Sequence, residues 1–260
     1  MMVIDTFTPV LFAAGLFLGM LFLQEVGWRI GVRRRAKGSA SADSGIGTMD
    51  GAVFALLGLL IAFTFSGAAS RFDGRRQLIA QEANAIGTAY LRLDLLAPDT
   101  RSALCQRFSR YLDSRLAVYR KLPDMEASQQ EWAKGVALQG EIWSQAVAAC
   151  RAQSDSPPCL LLLPALNEMI DITTTRKMST LRHPPTIIFV LLFGLALGCS
   201  FVAGYSISGR TQRSWIHMFV FPAMTAVTIY VILDIEYPRF GLIRMDAADQ
   251  ILVELRESMK

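Results

Sequence analysis

The stretch Gly58–Arg76, GLLIAFTFSGAASRFDGRR, begins as membrane-grade apolar helix and ends, with no proline and no loop between, in Arg71, Asp73, Arg75 and Arg76. The helical pattern does not stop at the charges. Apolar and small residues continue through RRQLIAQEANAIGTAYLRLDLL, residues 75–96, until APD breaks them at Ala97–Asp99. This predicts one long helix that leaves the bilayer and runs on into an extramembrane region, with the charge cluster at its point of exit.

Working outward, the rest of the chain fits that picture. Of its 260 residues 52% are hydrophobic and 18% charged, with mean hydropathy +0.35, too apolar for an ordinary soluble domain and too charged for a pure bundle of spans. Uncharged stretches at Thr6–Gln24, Gly51–Ser70, Pro184–Gly209 and Ser214–Leu233 can each cross a hydrocarbon core of about 30 Å at about 1.5 Å per residue. The expected fold is an all-α polytopic membrane protein. It has transmembrane helices over 6–28, 50–70, 184–209 and 214–234, and a helical extramembrane domain over 71–183, inserted between the second and third. A basic Gly/Ser-rich linker fills 29–49, and an amphipathic tail follows over 235–260. Asp5 sits where a signal peptide needs basic residues, and no small-x-small cleavage site follows, so the first span is expected to be retained.

Several function classes drop out. The net charge of +4 is spread along membrane flanks rather than stacked on one face, which argues against nucleic acid. Cys105, Cys150, Cys159 and Cys199 form no C-x-x-C pair and only His183 and His217 offer imidazole, so no metal or other cofactor is expected. Cys199 reads as a small residue packed within the third span. Cys150 and Cys159 flank a turn, RAQSDSPP, and would close a disulfide if they face an oxidising compartment; the sequence does not say whether they do. Without a nucleophile elbow, P-loop, dinucleotide fingerprint or HExxH, the chain is not read as an enzyme.

In the inserted domain, Pro98 suits a first helical turn, and Leu104, Phe108, Leu112, Leu116 and Tyr119 form one helical stripe. A further helix carries Trp132, Val136, Trp143 and Val147 as its expected core face. After Pro157-Pro158 a last segment leads back to the membrane at Pro184-Pro185. It brings Asn167, Glu168, Asp171, Thr174 and Thr175 near Arg176 as an interhelical polar network.

Advancing 100° per residue sorts the second span into three faces. Phe54, Leu57, Ile61, Phe65, Ala68 and Phe72 share one; Gly51, Ala55, Gly58, Ala62, Ser66 and Ala69 run beside it; Leu56, Leu59, Leu60 and Phe63 look toward lipid. The small-residue stripe invites close helix packing, and around a symmetry axis Phe54, Leu57, Ile61 and Phe65 would line a pore and form an apolar constriction. Ordinary packing of both stripes in a bundle is the alternative. Arg71, Arg75 and Arg76, with Glu82 on the same face, would form a charged mouth that concentrates anions, or an interhelical network. Asp234, Glu236 and Arg239, around Tyr237-Pro238, form an expected clasp at the membrane boundary, with a proton or cation site as the alternative.

The segments GAVFALLGLLIAFTFSGAASRFDGRRQLIAQEANAIGTAYLRLDLL, LLLPALNEMIDITTTR and VILDIEYPRFGLIRMDAADQILVELRESM resemble the bacterial bestrophin-like domain family of integral membrane proteins. That family is in turn distantly similar to true bestrophins, homopentameric anion channels whose second helices form a hydrophobic neck. The resemblance implies a homo-oligomer, pentameric if the likeness extends that far, in a bacterial inner membrane, passing small anions through a neck at Phe54, Leu57, Ile61 and Phe65. A dense acidic calcium clasp, which eukaryotic bestrophins carry after the last span, is reduced here to Asp246 and Asp249, so calcium gating is not implied. The competing reading is a non-conducting scaffold or sensor whose helical domain binds a partner. The charges leave sidedness open. Arg29, Arg33, Arg34, Arg35 and Lys37 place the short loops inside, whereas bestrophin topology would place the domain inside, and the domain's flanks are themselves rich in Arg.

Overall fold

The structure is a computed structural model that describes residues 8–37, 46–152, 157–209, 215–239 and 241–259. The expected starts of the first and fourth spans, the Gly/Ser tract after Lys37, and the middle of the turn between Cys150 and Cys159 lie outside them. The described chain is helical throughout: α1 Thr8–Ala36, α2 Ile46–Leu91, α3 Pro98–Arg120, α4 Met125–Ala152, α5 Pro157–Leu181, α6 Thr186–Ile207, α7 Trp215–Glu236 and α8 Asp246–Ser258, with a 3₁₀ turn at Arg92–Leu95. Among the described residues, four helical stretches are long and apolar enough to cross a membrane, and each overlaps one of the four expected spans. The helix of the opening stretch is continuous from Ile46 to Leu91.

Two compact units divide the chain, one of residues 1–70 and 183–243, the other of 71–182 and 244–260. In the first, α1 and α6 run parallel. Phe12 meets Phe193, a Cβ added to Gly27 would collide with the Phe201 carbonyl, and one on Gly204 with the Gln24 carbonyl. The two backbones therefore touch, which only glycine permits, and such close approach gives the dispersion contact that replaces the hydrophobic effect in lipid. Leu16, Met20, Leu57, Leu192, Ala196, Cys199 and Ile229 fill the core beside that contact.

The second unit has a larger core. Ile79, Ile86 and Leu93 of the α2 arm and its 3₁₀ turn meet Leu104, Phe108 and Leu112 of α3, Ile142 of α4, Leu162, Leu166 and Met169 of α5, and Leu252 of α8. Pro98 opens α3 as expected. Serine hydroxyls fasten α3 to α4, Ser114 donating to the Glu131 carbonyl and Ser128 to that of Val118, both at 2.7 Å. The expected seam of α4 is corrected. Val136 is exposed, and Gly135, Leu138, Ile142 and Ala146 face inward, Gly135 lying against Ser114 of α3. Cys150 of α4 and Cys159 of α5 are joined by a disulfide with Cα atoms 5.7 Å apart. The last helix docks through Ala248 and Leu252, and its Arg256 grips Asp113 with paired bonds of 2.7 and 3.0 Å.

Replacing Gly204 by leucine should separate α1 from α6 and lower the melting temperature of the detergent-purified protein by several degrees. Gly198, whose Cβ position meets nothing within 4 Å, should accept alanine with no change. Equal melting temperatures for Gly204→Leu and wild type would contradict the backbone contact.

Candidate functional site

The second span is the least covered of the four, 17% of its most apolar window being buried against 28% to 39% in the others. What is covered decides which residues can face a pore. Leu57 is 3% exposed, Phe54 stacks edge-on to Phe221 of α7 at 5.4 Å, and Ile61 packs on the core of its own bundle. These were expected to line a pore. They face the chain's own interior, because α6 and α7 present the large apolar side chains that pack on them, and only Phe65 of the four lies on the exposed side. Gly51, Ala55, Gly58, Leu59, Ala62, Phe63 and Ser66 are exposed, and no atom lies within 4 Å of a Cβ position on Gly51 or Gly58.

At the end of the fourth span, Asp234 and Glu236 are fully buried. The Asp234 carboxylate accepts the backbone N–H groups of Leu242 and Ile243 at 3.0 and 2.7 Å and the Tyr230 hydroxyl at 3.4 Å. Gly241 is required there, since a Cβ would run into that carboxylate. Glu236 pairs with His183 Nδ1 at 3.0 Å, and the His183 ring stacks on Tyr237 with centroids 4.6 Å apart. The carboxylates thus fold the chain leaving α7 back on itself and tie it to the segment entering α6. His183 was not foreseen as a partner. Its position next to Pro184-Pro185, at the foot of a span, is the signal that marked it.

Of the residues expected to form a charged mouth or an interhelical network, Arg75 and Glu82 take part in contacts between helices. Arg75 is buried and donates to the carbonyls of Ser179 and Arg182, the groups left open at the end of α5. Arg76 sits 3.8 Å from Asp73, with both side chains exposed. Glu82 shares a face with Arg75, as expected, but that face is the core of the helical unit, where Glu82 is fully buried. Its carboxylate accepts from Arg115 at 2.6 Å and from Arg176, which also pairs with Asp249 at 3.1 Å.

The surroundings complete this network. The Arg115 guanidinium lies 4.8 Å from the Trp132 ring and that of Arg176 4.3 Å from Tyr119. Gln139 donates to the Tyr111 hydroxyl at 3.0 Å and to Thr173 at 3.2 Å. Burial pushes the Glu82 carboxyl up, but the adjacent Arg115 and Arg176 outweigh it and hold the carboxyl below its usual range. Burial works against the charge of Arg115, yet Glu82 raises its affinity for the proton, and burial raises the Tyr111 hydroxyl, which stays neutral. Glu82 and Asp249 balance Arg115 and Arg176, so the network is a clamp on α2, α3, α5 and α8. Arg115 and Asp249 were missed, although Arg115 stands between Leu112 and Leu116 at a core position, the pattern of a charge held inside a bundle.

Glu82→Gln should leave the two arginines with one carboxylate between them and cost about 3–5 kcal/mol, read as a large fall in melting temperature. The pH dependence follows from the lowered carboxyl. Its stabilisation is complete above the unfolded value of about 4.3 and lost as pH falls through the lower folded value. Glu82→Gln should therefore flatten the acid side of the stability profile, and a profile parallel to wild type would contradict the pairing.

A family model described as Bestrophin-like domain matches residues 7–246. No curated protein matches the chain. Among solved structures, one variant of a bacterial bestrophin homologue from Klebsiella pneumoniae is 15% identical with a TM-score of 0.59, the match covering 94% of this chain and 98% of that one. A second variant is 14% identical with a TM-score of 0.61 over the same shares. A crystal structure described as a membrane protein variant gives 15% and 0.61, again over 94% and 98%. At these identities the likeness concerns the fold.

Proposed function

We propose, from the premise that this chain belongs to the bestrophin-like domain family, that it is a homo-oligomeric channel-like protein of a bacterial inner membrane that passes small anions along an axis lined by α2. The observation that carries the reading is the uncovered side of α2 across the bilayer. Opposite the packed residues Leu57 and Ile61, the helical wheel sets Ala55, Leu59, Ala62 and Ser66. One flank of that face is small over most of its length, with Gly51, Gly58 and Ala69 and with Phe65 as its one large residue, and the other is large, with Leu56 and Phe63.

A small flank and a large flank on one helix suit a ring. The bulky side of each copy seats against the glycines of the next, which is a head-to-tail contact that closes by rotation. The face turned to the axis then carries Leu59 as its one large side chain, so the apolar constriction falls there. This replaces the neck expected at Phe54, Leu57, Ile61 and Phe65. The family's distant likeness to bestrophins favours chloride-sized anions and a pentamer.

A second reading, a non-conducting scaffold or sensor, draws support from a recess of about 320 Å³ in the helical unit, lined by Val136, Gln139, Gly140, Trp143, Asn167 and Ile170. The two readings separate in liposomes. Chloride flux should rise several-fold for Leu59→Ala with the crosslinked oligomer intact. Gly58→Leu should abolish the oligomer and the flux together, and Ile61→Ala should lower stability without altering flux per oligomer. No flux above empty liposomes from a folded wild-type oligomer would favour the scaffold.

A further inference from the structure

We infer that the helical unit, residues 71–182, lies on the oxidising side of the membrane, where Cys150 and Cys159 are held as a disulfide. The inference rests on the membrane-spanning part of the reading above and not on conduction. Three observations converge on it.

The first is the bond itself. Cys150 and Cys159 belong to different helices, α4 and α5, yet their Cα atoms stand 5.7 Å apart, within the range a disulfide requires. Disulfides persist in oxidising compartments and are rare where the cytosolic thiol pool keeps cysteines reduced. Formation removes two electrons and two protons from the two thiols. A protein disulfide of the exchange type takes them up and becomes a dithiol, leaving one new sulfur–sulfur bond here.

The second is the position of the short loops. Because α1 and α6 run parallel, their C-terminal ends share one edge of the spanning unit. A Cβ on Gly31 would meet Ser208, and one on Gly209 the Arg35 guanidinium. Arg33, Arg34 and Arg35 stand in the last turn of α1 and Lys37 directly follows it, all exposed, and in sequence Arg210 and Arg213 follow α6. Both α1 and α6 therefore end at the same edge, and the sequence around each end is basic, the pattern that holds short loops in the cytoplasm.

The third concerns the charges on the domain side. Two of the arginines there are built into the folded unit, Arg75 on the carbonyls that end α5 and Arg176 on Glu82 and Asp249, while Arg76, Lys177 and Arg182 are exposed. The two buried ones serve the fold, and a long domain is translocated largely regardless of its charge. The short loops keep the orienting role.

The test uses the full chain in cells, with Cys105→Ala and Cys199→Ala so that only Cys150 and Cys159 remain. Sedimentation after carbonate extraction first checks membrane integration; a soluble chain would sink the spanning reading itself, and the inference with it. In intact spheroplasts, a membrane-impermeant maleimide-polyethylene glycol should add no mass without reductant and two adducts after an impermeant reductant. A cysteine introduced by Lys37→Cys should react only after permeabilisation. Free thiols before reduction, or adducts at Cys150 and Cys159 only once the membrane is opened, would overturn the inference while leaving the spans and the channel reading standing.

Discussion

A helix crossing lipid satisfies its backbone by itself but not its side-chain surface, and α2 finds partners within its own chain over a minor part of its circumference. Everything functional in the proposed account depends on that shortfall. The side that is covered is fixed by Leu57 and by the ring contact of Phe54 with Phe221. The uncovered side includes two glycines with nothing against them, and bare glycine in a span is a surface prepared for another helix. Lipid tails would fill it poorly, whereas a bulky flank from an identical chain fills it by interdigitation.

Behind that helix each unit is fixed by a different kind of contact. In the spanning unit the touching backbones of α1 and α6 need no polar groups, although Gln24 and Ser200 are buried beside them. The helical unit instead surrounds four charges with apolar side chains. Such a cluster gains little over a hydrophobic core of equal volume, but it is costly to break and admits few alternatives in register. It also fixes the α2 arm, since Glu82 is that arm's contribution and can be satisfied only when α3 and α5 present Arg115 and Arg176 together.

The all-helical fold, the four stretches apolar enough to span and the long helix through the charge cluster were legible in the sequence because length, apolarity and period report them directly. Orientation of the α2 faces was not. Rotation by 100° per residue put Phe54, Leu57 and Ile61 together, but it also grouped with them Phe65, which is exposed. In lipid an outward leucine and an inward leucine have the same composition, so hydrophobicity could not say which group met the bundle. Val136 failed for a related reason: a large apolar residue outranked Gly135, although Gly135 is the one that faces Ser114. Glu82 and Arg115 were legible in principle, as charges standing at core positions of two neighbouring helices. Their pairing required three dimensions, since 33 residues separate them.

The most direct measurement is the accessibility of single cysteines placed along α2 to a charged, water-soluble thiol reagent, in the oligomer reconstituted in liposomes. The account predicts labelling at positions 55, 59, 62 and 66, with the rate falling beyond 59, and none at 54, 57 and 61. Labelling that follows 54, 57 and 61 would return the axis to the packed face and contradict the account. A span unlabelled on every face would show that no aqueous path runs along it.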